Sequence, residues 1–456
     1  MQFTDLPEGW IEGTLGELVR VSSGVGFPKR FQGKSTGDYP VYKVGDISKA
    51  VITNNGYLSS AAHFVKHEEA IELKGEIFPI GATLFAKIGE AVKLNRRAFV
   101  LKPGLADNNV MAALPDMKES NKFIYSFMRT VDLSDISRST TVPSVRKGDI
   151  EDIILAIPPL AEQKIIADKL DTLLTKVEKT KARLERIPKL LKTFRQAILS
   201  AAVSGKLVPI DKPIAVTVGE IATDIRYGTS KKCDYNGGQT PVIRIPNISD
   251  RKLNTSDLKY ADFTEKELKT LALKAGDILV IRSNGSLDLV AKPALVEQKY
   301  EGFLYAGYLI RIRCNEKKIL PSFLLNIMNS RVVRDVVEIS SRSTSGVNNI
   351  NSKELAALKF VLPSIEEQAE IVQYVEKLFD FADSIEQKAN VALERVNNLT
   401  QSIFAKAFRG ELTADWRTAN PDLVSGENSV ESLLEKIKAK RKVMKPAKKT
   451  RTRKNV

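Results

Sequence analysis

The sequence predicts an α+β protein: two mixed α/β globular domains in a pseudo-two-fold arrangement, separated by two long antiparallel coiled-coil helices. Three observations carry this. The chain has 456 residues, more than one ordinary hydrophobic core sustains. Its two halves repeat one another, and each half ends in an apolar seam of heptad spacing. The boundaries that follow are a globular domain at 1–157, a helical spacer at 158–207, a second globular domain at 208–362, a second spacer at 363–412, and a C-terminal segment at 413–456 whose basic tail is expected to be disordered.

The repeat is clearest in the spacers. Residues 158–207 align with 363–412 at a constant offset of 205 without a gap, and ten of the fifty positions are identical. They include Pro158/Pro363, Glu162/Glu367, Gln163/Gln368, Ile166/Ile371, Ile198/Ile403 and Gly205/Gly410. The similarity extends upstream with small insertions. TLGEL at Thr14–Leu18 answers TVGEI at Thr217–Ile221, and YPVYKVGDIS at Tyr39–Ser48 answers TPVIRIPNIS at Thr240–Ser249. GATLFAK at Gly81–Lys87 answers GDILVIR at Gly276–Arg282, and SRST occurs at Ser137–Thr140 and Ser341–Thr344. The repeating unit is therefore the whole half.

In the first spacer the residues spaced alternately four and three apart are apolar almost throughout: Ile166, Leu170, Leu173, Val177, Leu184, Leu191, Phe194 and Ile198, with Thr180 as the polar exception. The second spacer keeps the phase at Ile371, Val375, Leu378, Ala382, Val396, Leu399 and Ile403. Such a seam lets two helices interdigitate along their length. Ser364 with Glu367 forms a capping box, Pro158-Pro159 suits a helix entrance, and Gly205 and Gly410 stand where a left-handed terminating residue is expected. Pro188 removes an N–H and crowds the preceding turn, so a kink or break is expected in the first spacer. Leu393 occupies the matching place in the second.

Upstream of each spacer, short β-type runs such as Ile278–Arg282 and Leu309–Arg313 alternate with helical patches such as Lys122–Arg129 and Pro321–Asn329. Each half thus carries a mixed α/β domain.

The net charge is +15, which invites a nucleic-acid reading, because clustered cations displace phosphate counterions. Eleven Lys and Arg residues lie between Lys436 and Val456 with no acidic residue among them. The first 435 residues carry 59 basic against 55 acidic groups, so most of the excess belongs to the tail, whose attraction to DNA or RNA is non-specific. Cys233 and Cys314 are too few for a disulfide framework. No apolar run is long enough for a membrane span, and the first residues lack the basic-then-apolar pattern of a signal peptide, so the cytoplasm is the expected compartment.

Catalytic patterns fail on inspection. Gly33-Lys34-Ser35 ends like a phosphate-binding loop, but Pro28 stands where its first glycine belongs. Gly24 and Gly26 open a dinucleotide pattern that Lys29 breaks. His63 and His67 have the spacing of two metal ligands on one helical face, without a third ligand nearby. No Asn-Pro-Pro-aromatic sequence of the kind that positions a flipped adenine is present.

Two domains on paired spacers suit the task of holding two recognition surfaces at a fixed distance. A DNA duplex has the same two-fold axis, so the domains are expected to read two separated half-sites. The residues then point to a family. LPEGW at Leu6–Trp10, IPPLAEQKIIADKL at Ile157–Leu170 with LPSIEEQAEIVQYV at Leu362–Val375, QAILSAAVSGKL with QSIFAKAFRGEL, and ELTADWR at Glu411–Arg417 occur in an order that resembles the specificity subunits of Type I restriction-modification systems. The resemblance covers residues 6–440. It implies two target-recognition domains and a subunit without catalytic machinery, which reads an asymmetric bipartite site in double-stranded DNA. It further implies two adenine-N6 methyltransferase subunits and two ATP-dependent restriction/translocase subunits as partners. S-adenosylmethionine, ATP and Mg are then expected on those partners, with none of them bound by this chain.

Positions that are polar or basic at matching places in both copies are the candidates for DNA contact: Lys29 and Arg30 with Lys231 and Lys232, Lys43 with Arg244, Lys87 with Arg282 and Asn284, and Arg138 with Arg342. Arg and Asn can read guanine and adenine edges through paired hydrogen bonds, whereas Lys grips phosphate. Lys43 and Arg244 lie in β-type runs, where a structural role competes. Two other functions fit the same residues: a coiled-coil scaffold whose globular domains bind proteins, and a self-sufficient DNA-modifying enzyme with an unfamiliar site.

Overall fold

The computed structural model describes residues 6–137, 142–340 and 348–444. The chain divides into two compact units, one of residues 1–182 with 394–456 and the other of residues 183–393.

In the first unit a five-stranded sheet has the order Val19–Ser23, Val110–Pro115, Thr83–Ala86, Arg97–Val100, Tyr57–Leu58. A three-stranded sheet places Tyr39–Tyr42 between Phe64–Val65 and Leu105–Ala106, and Ile11–Thr14 pairs with Ile154–Ile157. The second unit repeats the plan. A four-stranded sheet runs Ala222–Tyr227, Leu309–Cys314, Ile278–Ile281, Pro293–Leu295, and Thr240–Ile243 lies between Lys259–Ala261 and Leu304–Tyr305. Ile214–Thr217 pairs with Lys359–Leu362.

Period-two alternation explains why the central strands are apolar without interruption. In Ile278–Ile281 every residue is buried. Ile278 and Val280 face the core shared with the spacer helices. Leu279 and Ile281 face a second core with Ile243, Ile248 and Tyr305. A strand covered on both faces loses its polar side.

The first spacer is two helices, Leu160–Leu184 and Ile187–Val203, with Pro188 in the first turn of the second helix. The expected break thus falls at Glu185-Arg186, where proline's missing N–H has no helical partner to lose. The second spacer is one helix of 44 residues, Ile365–Phe408. Within each unit the spacers run antiparallel. In the first unit Ile166, Leu170, Leu174 and Val177 share a core with Ile403, Phe404 and Ala407, and Lys169 Nζ donates to the Leu412 carbonyl at 2.9 Å. In the second, Ile198, Leu199 and Ala202 share a core with Ile371, Val372 and Val375, and Arg195 joins Asp383 at 2.6 Å and Glu386 at 2.8 Å.

Most seam positions are buried: Ile166, Leu170, Val177, Leu191, Ile198, Ile371, Val375 and Ile403. Leu173, Leu184, Leu378 and Val396 are half-buried. Phe194 and Leu399 are exposed, so the seam is not closed over its full length. Gly205 and Gly410 have φ of 71° and 76°, the left-handed conformation that ends a helix.

The repeated Glu-Gln pair does different work in the two units. Glu162 is fully buried. It accepts hydrogen bonds from Trp10 Nε1 at 2.8 Å, Thr413 Oγ1 at 2.6 Å and Arg417 Nη2 at 2.8 Å. Glu367 is at the surface, where it accepts from the Ser364 and Asp211 amides at 2.7 and 2.6 Å. Those two N–H groups hold its carboxyl below the usual range, the Asp211 amide contributing most. The two glutamines keep one role, each donating from Nε2 to the carbonyl five residues back, Pro158 or Pro363, at 2.9 Å.

The C-terminal segment corrects the sequence expectation. The basic run begins inside a helix, Val430–Met444, whose Val430, Leu433, Leu434 and Ile437 enter the first unit's core. Arg441 pairs with Asp116 and donates to the Gly16 and Val19 carbonyls at 2.9 and 3.0 Å. Lys and Arg here occupy the solvent face of an amphipathic helix, and composition alone conceals the apolar stripe beneath them. Residues 445–456 lie outside the described part of the chain. Among the described residues no helix is long and apolar enough to cross a membrane.

Two stability measurements follow. Glu162→Ala strands the Arg417 guanidinium in a desolvated site and is expected to cost the first unit about 3–5 kcal/mol; Glu367→Ala should cost clearly less. Urea titration of the two variants ranks them. Ile437→Ala, at a position 1% exposed, is expected to lose about 2–5 kcal/mol, and Lys438→Ala next to it close to none. Equal, negligible losses at 437 and 438 would show that the basic segment is not packed.

Candidate nucleic-acid interface

One edge of each globular domain is built from four segments that main-chain hydrogen bonds tie together. In the second unit Thr229 N–H donates to the Tyr305 carbonyl at 2.8 Å and Gly307 N–H to that of Thr229 at 2.7 Å. Arg282 N–H donates to the Tyr308 carbonyl at 2.8 Å, and Ile350 N–H to that of Arg282 at 2.9 Å. The first unit has the same edge. Val25 N–H donates to the Ala106 carbonyl at 2.9 Å, Lys87 N–H to that of Asn109 at 2.8 Å, and Val145 N–H to that of Lys87 at 3.0 Å.

A glycine makes each edge possible. A Cβ on Gly24 would lie 2.0 Å from the Asp107 carbonyl oxygen, and one on Gly228 2.1 Å from that of Tyr305. No side chain fits so close to a neighbouring backbone. Gly24 therefore serves backbone approach, and the dinucleotide pattern it opens in sequence has no counterpart here.

The matched pairs separate into those this edge displays and those it does not. Lys87 and Arg282 take equivalent places, each following a central strand. The Arg282 guanidinium lies 4.8 Å from the Tyr227 ring centre, and Tyr227 Oη accepts from Ser352 N–H at 2.8 Å. Arg282 Nε is buried without a hydrogen-bond partner among the described residues. Asn284 sits in a two-stranded ribbon, Ser283–Asn284 against Asn348–Asn349. Lys231, two residues after Thr229, donates from its ammonium to the Asp262 carbonyl, and that ammonium lies 5.1 Å from the Phe263 ring centre. Lys232 and Lys29 are exposed.

Arg30 is engaged elsewhere, paired with Glu72 at 2.6 Å and set over the Phe31 ring at 4.7 Å. Lys43 and Arg244 are not strand residues. Each directly follows a strand and receives a side-chain cap on its own amide, from Asp46 and Asn247 respectively, at 2.8 Å. Lys43 Nζ donates to Gln32 Oε1 at 3.0 Å. Arg244 pairs with Asp257 at 3.1 Å, whose carboxyl is held low first by the Tyr235 hydroxyl and then by Arg244. Arg138 and Arg342 lie outside the described residues.

The carboxyl of Asp107, on the first unit's edge, is pushed up by burial, although it accepts from the Asn109 amide at 3.0 Å and faces Lys43. His63 precedes the strand Phe64–Val65 while His67 opens the helix His67–Leu73, so they do not share a helical face. Among the described residues no cluster of His, Cys, Asp and Glu could hold a metal ion.

Sequence reading missed Tyr227, Tyr308, Asn348 and Asn349. The available signal was the Asn348-Asn349 pair itself, since asparagine is disfavoured in strands and a ribbon that carries it is not built for stability alone.

A fold repeated in two units, spacers antiparallel within each, and a polar edge on each domain define a protein that recognises an extended partner at two places. Comparison with known proteins identifies the class. The family described as the Type I restriction modification DNA specificity domain matches residues 7–189 and again 215–395. The chain belongs to this family of Type I specificity subunits. It is 36% identical over 451 residues to the Type I restriction enzyme EcoKI specificity subunit of Escherichia coli K12, covering 96% of each chain. It is also 36% identical over 453 residues to the StySPI specificity subunit of Salmonella potsdam, again covering 96% of each. Among solved structures, the HsdS subunit of Thermoanaerobacter tengcongensis shares the fold at a TM-score of 0.56 and 19% identity, covering 89% of this chain and 98% of that one. A chain from a type I restriction-modification assembly gives 0.69 at 18% identity, covering 90% and 100%.

Lys232→Ala is expected to weaken binding to all DNA sequences alike and to reduce the slope of log affinity against log salt by about one. Arg30→Ala, removing a cation already paired with Glu72, should leave that slope unchanged. Anisotropy titrations of the reconstituted complex at several salt concentrations measure both.

Proposed function

We propose that this chain is the DNA-reading subunit of a Type I restriction-modification complex, each globular domain reading one half of an asymmetric bipartite site with a fixed gap. The observation that carries the reading is the repeated edge: one backbone scheme presented twice, with different side chains on it. A common scaffold with diverged side chains reads two different half-sites. Two spacers of matched length and heptad phase support a constant gap.

In this reading the chain supplies no chemistry. Two methyltransferase subunits bring S-adenosylmethionine and methylate adenine, and two translocating restriction subunits bring ATP and Mg. The spacer helices hold the methyltransferase subunits as well as one another. Arg and Asn side chains at the edges discriminate bases, and Lys29, Lys87, Lys231 and Lys232 set affinity through phosphate.

Methylome sequencing of a host carrying this chain with its partner subunits is expected to show adenine methylation at one bipartite motif of constant gap. The purified chain alone should neither methylate nor cleave. If the assembled complex binds random duplex as tightly as any bipartite sequence, the chain is a scaffold instead.

A further inference from the structure

We propose that the ribbon Ser283–Asn284/Asn348–Asn349 is the base-reading element of the second unit, and that its three asparagines recognise adenine through the N6 and N7 edge in the major groove. The inference rests on the DNA-reading function above and adds which residues read and which base they take.

Shape comes first. The major groove, about 12 Å wide, admits a two-stranded β-ribbon. This ribbon pairs Ser283 with Asn349 and Asn284 with Asn348. It grows from the domain edge, because Arg282, one residue before it, is bonded through its own amide and carbonyl to Tyr308 and Ile350. Its position is thus fixed by the sheet and not by side-chain contacts at the tip.

Chemistry comes second. Three of its four residues are asparagine, and their amides are largely unused. Asn284 Oδ1 accepts from Ser286 N–H at 2.9 Å, leaving its Nδ2 without a partner among the described residues. Asn348 Nδ2 donates to the Gly285 carbonyl at 3.2 Å, leaving its Oδ1 without a partner among the described residues. Asn349 is exposed. An asparagine amide donates to adenine N7 and accepts from N6 at the same time, and each amide oxygen has two lone pairs, so the internal bond at Asn284 leaves acceptor capacity.

Third, the base of the ribbon holds a cation, Arg282, that pairs with no carboxylate among the described residues. Arg311 and Arg313 of the same domain pair with Asp224 and Asp277. Arg282 instead rests on Tyr227, a stacking that orients a guanidinium while leaving its N–H groups for a partner. Tyr308, 64% exposed, stands beside it.

The first unit provides an internal comparison. At the same place it has a single bridge, Ile88 to Ser144, with Ile88 and Val142 exposed and no amide in the bridge. The backbone device recurs while the polar readers do not, which marks them as specific to the second half-site.

The test uses the complex assembled with its methyltransferase subunits and the bipartite site found by methylome sequencing. Each adenine of both half-sites is replaced in turn by 7-deazaadenine, which pairs normally but lacks N7. For the wild-type chain, affinity is expected to fall about 5- to 150-fold at one to three adenines of a single half-site. In Asn284→Ala, Asn348→Ala or Asn349→Ala the same replacement should cause little further loss, while adenines of the other half-site keep their full effect. Because the base change acts on DNA with the wild-type chain, a misfolded variant cannot imitate the result. The proposal is overturned if bipartite preference persists but no adenine responds, or if the responding adenines respond equally in the three variants. Absence of any bipartite preference would overturn the DNA-reading function itself, and the ribbon's role with it.

Discussion

The carboxylate of Glu162, fully buried, is the contact on which the first unit's assembly depends. One side chain at the start of a spacer helix accepts from the indole of Trp10 near the N-terminus and from Thr413 and Arg417 beyond the second spacer. Three segments distant in sequence meet at one charge. A buried charge tolerates little displacement of its partners, because any lost hydrogen bond leaves desolvated ionic groups uncompensated. The matching Glu367 sits at the surface and caps its own helix. The repeat thus preserved a residue type while the first unit turned it into a junction.

That junction explains why the first unit is assembled from both ends of the chain. Residues 394–456 belong with 1–182, and the C-terminal helix inserts Leu433 and Ile437 beside Leu15 and Leu18. The second unit is continuous in sequence and closes its core with Ile198, Leu199 and Ala202 from its own spacer. Phe123 and Phe127 of the first unit meet the Phe408 ring at 5.6 and 5.5 Å, and such edge-to-face contacts fix orientation as well as area.

At the recognition edges the division of labour is between backbone and side chain. Gly24 and Gly228 let neighbouring segments close to main-chain distance, and the same hydrogen bonds recur around Lys87 and Arg282. Main-chain bonding is indifferent to side-chain identity. The edges could therefore diverge, to apolar groups at Ile88 and to amides at Asn284 and Asn348, without cost to the scaffold.

The sequence by itself determined the repeat, the heptad phase of the spacers, a break close to Pro188, the left-handed glycines, the mixed α/β character of the domains and the family. Each is a local or periodic property, written in residues close together or at constant offset. Tertiary structure alone decided which cations pair with carboxylates. Arg30 and Lys87 look alike in sequence, yet one faces Glu72, forty-two positions away, and the other follows a central strand onto the edge. It also decided that Lys43 and Arg244 stand at helical turns just past their strands instead of within them, and that a basic C-terminal run hides a core helix. The ribbon that brings Asn284 to Asn348, sixty-four positions apart, belongs to the same class. Pairing between distant segments is set by how whole strands and cores pack, and no local pattern records it.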